Sequence, residues 1–138
     1  MYEMQIETGK LSEFARAVHA PSPDEGQPAI AMTPTFLSTA SHFWEPEGSD
    51  SIAALGFDKA RMLHGEESFA FFGAPCAVGT TLRVETRLGE QYERVGRRGG
   101  RMRFGTVIRS FTDADGRLVA EQRTILIETS PRTERDGA

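Results

Sequence analysis

His64 and Glu66 stand two residues apart in Leu63-His64-Gly65-Glu66-Glu67-Ser68-Phe69, a stretch that reads as the entrance to a strand. That spacing puts both side chains on one side of a strand. An imidazole beside a carboxylate can take and return a proton near neutral pH, so the two are a candidate acid/base couple. The plainer alternative is a histidine that packs and hydrogen-bonds at the strand start, with Glu66 solvated or paired. His19 is expected at the end of a first helix, where the helix dipole favours an imidazolium. His42 falls six residues after Phe36 on a second helix, away from its apolar stripe, and suits a surface or interface position. Asp24 and Glu25 are neighbouring loop carboxylates, and desolvation there would raise a carboxyl pKa towards that of a useful base. Ser22 has no base beside it in sequence to make it a nucleophile. Cys76 follows Pro75 in a turn, with no His or Asp at motif spacing, and reads as a structural thiol.

A second kind of chemistry resides in Arg94, Arg97, Arg98, Arg101 and Arg103, interleaved with Gly96, Gly99 and Gly100. Guanidinium groups bind phosphates and carboxylates through paired N–H donors. The cluster is a candidate clamp for a phosphorylated carrier or an acidic protein, and Arg97, Arg98 and Arg101 are its expected contacts. The alternative is a solvated hairpin. No G-x-x-x-x-G-K-[ST] phosphate loop is present.

These groups need a scaffold, and the hydrophobic pattern supplies one. Leu11, Phe14, Ala15 and Val18 fall at helical spacing after Thr8, an expected N-cap, and Pro21 and Pro23 stop that helix near His19. Met1 to Lys10 is mixed polar and acidic, unlike a secretory signal. Thr33 can cap a second helix with Pro34 at its first position, and Phe36, Leu37, Ala40, Phe43 and Trp44 form its apolar stripe. Glu45 to Ser51 reads as an exposed loop. Glu67 to Phe72 is an aromatic strand in which Phe69 and Phe71 share a face and Phe72 takes the other. Leu82, Val84, Thr86 and Leu88 alternate with charged residues, and Arg101 to Phe111 carries Met102, Phe104, Thr106 and Ile108 on one face. Asp113-Ala114-Asp115-Gly116 is a hairpin turn before a last strand, Leu118 to Glu128. Such a sheet needs its apolar face covered, and the Thr35 to Trp44 stripe is the available cover. Periodicity alone therefore predicts an α+β domain with an antiparallel meander.

The 138 residues suffice for one domain. A net charge of -4 gives no sign of a nucleic-acid partner. No stretch approaches the roughly 20 apolar residues of a membrane span. A single cysteine excludes an intrachain disulfide and fits the cytoplasm.

Several segments in order resemble the MaoC-like N-terminal, or FAS1-like, dehydratase family. They are Gly9 to Val18, Thr33-Pro34-Thr35-Phe36-Leu37, Leu63 to Phe69, Ala74-Pro75-Cys76-Ala77-Val78-Gly79 and Gly116-Arg117-Leu118-Val119-Ala120. The resemblance implies a hotdog domain over residues 1–130, a long antiparallel sheet wrapped around a central helix, with a polar tail at 131–138 and a double-hotdog dimer. It implies hydration of trans-2-enoyl thioesters or dehydration of 3-hydroxyacyl thioesters carried on coenzyme A or acyl carrier protein, without metal or redox cofactor. Pro34, Thr35, Phe36, Leu37, Phe69 and Phe71 are then the expected acyl-pocket residues.

Hydratase members of this family carry a D-x-N-P-x-H motif after the first helix. With Pro23 at the motif proline, Ser22 takes the Asn position, Ala20 the Asp position and Glu25 the His position. Alanine neither ionises nor hydrogen-bonds through its side chain. The chain is therefore expected to be the pocket-forming subunit of a heterodimer whose other subunit holds the dyad, with His64 and Glu66 as the substitutes if it acts alone. Two rivals are a hotdog thioesterase using Glu25 or Glu66, and a non-catalytic acyl-thioester-binding homodimer.

Overall fold

The computed structural model of the chain describes residues 1–20, 32–74, 76–97 and 100–131. Ser22, Pro23, Asp24, Glu25, Pro75, Arg98 and the tail beyond Pro131 lie outside the described residues. Strands β1 (Tyr2–Gln5), β2 (Met62–Phe71), β3 (Thr81–Val95), β4 (Arg101–Thr112) and β5 (Leu118–Glu128) form one antiparallel sheet in the order β1-β3-β4-β5-β2. Helix α1 (Thr8–Ala17) follows β1, and a 3-10 helix, Pro34–Thr39, runs directly into α2 (Ala40–Phe43). This is the expected hotdog fold.

The β4–β5 connection is the turn predicted from Asp113 to Gly116. Gly116 takes φ 80°, and its N–H donates to the Asp113 carbonyl at 3.0 Å. Asp113 Oδ1 accepts from Asp115 N and Arg117 N, and its Oδ2 from Arg117 Nε at 2.9 Å. These bonds hold the Asp113 carboxyl below the usual carboxylate range, the Arg117 side chain contributing most.

Four expectations change. Strand β1 was not foreseen; it pairs antiparallel with β3, Met4 opposite Leu82, and buries Met4 completely. The N-cap of α1 is Glu7 rather than Thr8, which is the first helical residue. The second helix is 3-10 over most of its length, and two hydroxyls account for this. Ser38 Oγ donates to the Thr35 carbonyl and Thr39 Oγ1 to the Phe36 carbonyl, both at 2.7 Å, which favours the tighter i to i+3 spacing. Tightening turns Phe43 out to 59% exposure, where the Lys10 ammonium covers its ring at 4.5 Å. Finally, the alternation of β3 holds through Leu82, Val84 and Thr86 but Leu88 is exposed, while β4 buries Val107 and Arg109 as well as Thr106 and Ile108. Both faces of β4 are thus covered.

The chain forms two compact units. The first comprises Met1–Ser49, Phe69–Thr86 and Arg109–Gln122. Met4, Ile6, Leu11, Phe36, Leu37, Ala40, Leu82, Val84 and Phe111 are its apolar heart. Phe36 meets Phe14 edge-on at 5.6 Å and Trp44 at 6.3 Å. Burying each such large side chain contributes about 1.5–3 kcal/mol. Thr39, Arg109 and Gln122 are buried polar residues of this unit, and Arg109, 3% exposed, lies 4.0 Å from Glu45. Burial pushes the nearby Tyr2 phenol up to about 12 despite the opposing charge of Arg109.

The second unit comprises Asp50–Ser68, Arg87–Ile108 and Arg123–Ala138. Its apolar cluster is small, with Leu55, Val107 and Leu126 flanked by Ile52, Phe57 and Met62. Charged groups fix the rest. Glu128 accepts from Asp58 N at 2.7 Å, Arg61 Nη2 at 3.1 Å and Arg103 Nη1 at 2.9 Å. These donors hold its carboxyl below the usual range, the backbone bond contributing most. Gly105 lets the segment settle on β4, since a Cβ there would lie 2.7 Å from Leu55 Cδ2 and 3.0 Å from Phe57 Cζ.

Candidate functional site

Helix α1 ends at Ala17, three residues before Ala20. Val18 is its C-cap, His19 follows at φ 53°, Ala20 N donates to the Ala15 carbonyl at 2.9 Å and His19 N to the Arg16 carbonyl at 3.2 Å. This is the Schellman arrangement, with histidine in the left-handed position usually given to glycine. His19 is exposed and Ala20 half-buried. The position matched to the motif Asp thus carries only a methyl group. Glu25, matched to the motif His, lies outside the described residues.

His64 and Glu66 are both exposed on β2. The carboxylate that meets His64 is Glu67, whose Oε2 lies 2.8 Å from His64 Nε2. Thr124 Oγ1, on neighbouring β5, donates to the same carboxylate at 3.1 Å. Residues three apart point to opposite faces of a regular strand, so the two-residue rule passes over this couple. The outer position of β2 in the sheet leaves room for it, and Gly65 brings β2 close to β5: a Cβ there would sit 2.8 Å from Ile127 Cδ1. With the proton on Nε2, His64 donates to Glu67 and leaves the Nδ1 lone pair as a base. The threonine and carboxylate orient the ring.

The six residues expected to line an acyl pocket take different positions. Phe36 and Leu37 are fully buried in the first unit's core, while Pro34 and Thr35 are exposed. Phe69 and Phe71 stack at 6.2 Å, with Phe69 half-buried and Phe71 43% exposed. Phe72 is also exposed.

The arginines divide as well. Arg101 pairs with Glu93 at 3.1 Å, Arg103 with Glu128, and Arg94 lies over the Tyr92 ring at 5.2 Å. Arg97 is exposed. Tyr92 and Phe104 stack at 4.8 Å, 3° from parallel, a feature absent from the sequence reading. The register that makes it comes from the loop closure: Gly96 N donates to the Gly100 carbonyl at 2.8 Å, and counting four residues outward on each side sets Tyr92 opposite Phe104.

His42 is exposed, its Nδ1 3.1 Å from Ser41 Oγ. Cys76 is half-buried, and burial pushes its thiol up, away from the reactive thiolate. Among the described residues no three His, Cys, Asp or Glu groups converge as metal ligands, and no helix is long and apolar enough to cross a membrane.

A family model described as "FAS1-like, dehydratase domain region" matches residues 2–122. Among solved structures, the chain is similar to the HadBC (3R-hydroxyacyl-ACP dehydratase) complex from Mycobacterium tuberculosis, with 21% identity, 91% of this chain and 89% of that one covered, and a TM-score of 0.68. It is also similar to a MaoC-like dehydratase, with 23% identity, 94% of this chain but 40% of that one, and a TM-score of 0.73. A third is the ChsH1-ChsH2 complex from Mycobacterium tuberculosis, with 13% identity, coverage of 95% and 82%, and a TM-score of 0.72. No curated protein matches the chain.

Proposed function

The chain belongs to the FAS1-like dehydratase domain region family, and from that premise we propose that it is the pocket-forming subunit of an acyl-thioester dehydratase/hydratase. Its partner is a second hotdog chain bearing the Asp and His. The reaction joins a 3-hydroxyacyl thioester, on coenzyme A or acyl carrier protein, to the trans-2-enoyl thioester and water. The C2 proton leaves to a base and the C3 hydroxyl leaves as water, so no electron carrier is called for. The compartment that suits this reading is the cytoplasm.

The observation that carries the proposal is Ala20. A methyl group stands where the family's acid/base carboxylate is expected, in a chain that otherwise matches the family over residues 2–122. The two-chain complexes named in two of the similar structures support the pairing. The test is turnover of a short trans-2-enoyl-CoA by the purified chain, alone and with a dyad-bearing hotdog chain. Activity only with the partner is expected. Turnover alone at an ordinary enzymatic rate would sink the pocket-subunit assignment.

One observation favours a second reading, in which the chain performs its own chemistry. His64 Nδ1 would take the C2 proton, Glu67 would hold the resulting imidazolium, and the same proton would return to the departing hydroxyl. Under this reading His64→Ala lowers turnover by the isolated chain by about 10²–10⁴, the usual worth of general acid–base catalysis, and Glu67→Gln lowers it by less.

A further inference from the structure

Strand β2 stands at one end of the sheet order, so one of its edges is paired with β5 and the other has no strand beside it. An unpaired edge is a row of backbone donors and acceptors that another strand can extend. β2 is ten residues long, whereas β1, at the opposite end of the sheet, has four. Leu63 and Phe71, near the two ends of β2, are 56% and 43% exposed. The middle of the strand is acidic. Glu66 and Glu67 are adjacent there, and the strand carries no Lys or Arg. His64 is engaged by Glu67 of its own chain, Nε2 to Oε2 at 2.8 Å. Glu66 is exposed and has no ion-pair partner among the described residues, Arg123 on neighbouring β5 included.

We propose that this edge disfavours a second copy of the chain and receives instead a hotdog chain whose own outer strand carries Lys or Arg at its middle. The inference rests on the paired-subunit reading above and deepens it, because it names what selects the partner. A closed pair of identical chains is two-fold symmetric, so identical edges meet antiparallel. The widest overlap of two β2 strands sets Glu66 opposite Glu67 of the copy, and does so twice. Paired strands stand about 4.8 Å apart, inside the screening length of roughly 8 Å, and like charges directly opposite each other destabilise a sheet. Sliding the strands until the carboxylates are about 10 Å apart gives up roughly four of the ten residue pairings, at about 3.3 Å per residue. Self-pairing thus loses either electrostatic or backbone energy. A partner with Lys or Arg at that place keeps the full overlap and turns the repulsion into attraction. The exposed apolar ends suit either occupant, so the choice falls to the charge in the middle.

The test is sedimentation equilibrium of the full chain at low and high salt, with a charge series at Glu66. Added salt should strengthen self-association of the parent chain. Glu66→Gln should tighten it by several-fold to about tenfold, because two cross-strand repulsions are relieved in each dimer. Glu66→Lys gives the edge the charge expected of the partner and should tighten self-association further. Both substitutions change an exposed side chain, which guards against a folding defect. Glu3→Gln and Glu3→Lys make the same charge changes on β1, where Glu3 is also exposed, and should leave association as it was. A tight parent dimer indifferent to salt and to the Glu66 series would overturn the proposal. So would a parent monomer that stays monomeric throughout the series, or equal effects of the changes at Glu66 and Glu3. The readout needs no substrate, so it separates the two claims. A chain that turns over enoyl-CoA only beside its partner, yet self-pairs tightly whatever the charge at Glu66, defeats only the charge selection. The expected association series in a chain that never supports turnover defeats only the assigned reaction.

Discussion

The two compact units are held together by different forces. In the first, eleven buried apolar residues from β1, α1, the Pro34–Phe43 segment and three strands pack with aromatic rings edge to face. In the second, the apolar cluster has only three buried members, and a carboxylate, Glu128, gathers donors from Asp58, Arg61 and Arg103. Apolar packing carries no charge to titrate or screen, whereas the charged clasp responds to pH and is screened by salt. The feature with chemical potential, His64–Glu67–Thr124, belongs to the unit that depends on charge.

The comparison can be broken most severely at Phe36. Phe36→Ala is expected to destabilise the protein by about 3–5 kcal/mol, read from denaturant midpoints, because it empties the centre of an apolar core. A loss under 1 kcal/mol would mean that the first unit is not held by that core. Gly105→Ala should cost about 1–3 kcal/mol by overpacking, since the new methyl meets Leu55 and Phe57. Calorimetric melting of that variant showing no change would mean the Asp50–Arg61 segment can lift away freely.

A smaller effect distinguishes the forces directly. Glu128 has a depressed pKa in the fold, so its contribution is full above the ordinary carboxylate range and is lost as pH falls through the folded value. Glu128→Gln should therefore destabilise at pH 7 and converge with the parent in acid. Its ion-pair partners Arg61 and Arg103 are 30% and 40% exposed, so salt should blunt the difference. Parallel stability curves across the acid range would remove the charged clasp from the account. The smallest change is a gain: His19→Gly should stabilise by about 0.4–1 kcal/mol, because glycine adopts the left-handed backbone at no steric cost. A melting temperature unchanged or lowered would show that the histidine side chain has contacts of its own to lose.

What was legible in the sequence was local. The Asp113–Gly116 turn follows from aspartate and glycine chemistry within five residues, and the Leu82–Val84–Thr86 alternation from the pleat. Phe36 and Leu37 lay on the covering segment because Thr33-Pro34 marks its start. What was missed depended on distant partners or on side-chain competition. β1 has one buried residue among its four, and its reason for extending is β3, about eighty residues away. The 3-10 winding came from Ser38 and Thr39 hydroxyls that a periodicity count treats as neutral. Glu67 escaped notice because contact around an outer strand does not obey the alternation rule. The reading of Ala20 and Glu25 rests on the motif match alone, for the backbone explains why α1 stops there but not what a neighbouring chain supplies.

The position of Glu128 also has a consequence in time. Asp58 and Glu128 are 70 residues apart in sequence, while the β4–β5 turn closes within five. Closing a long loop takes more chain entropy than closing a short one, so hairpins can form while the clasp still waits for its carboxylate. During synthesis the segment bearing Leu55 and Phe57 must emerge and remain unanchored until the last strand follows it. That interval, rather than the finished fold, is when those two side chains are most open to the wrong partner. A ribosome-bound chain halted before Glu128 should accordingly leave residues 50–61 open to protease, and a chain halted well beyond it should not.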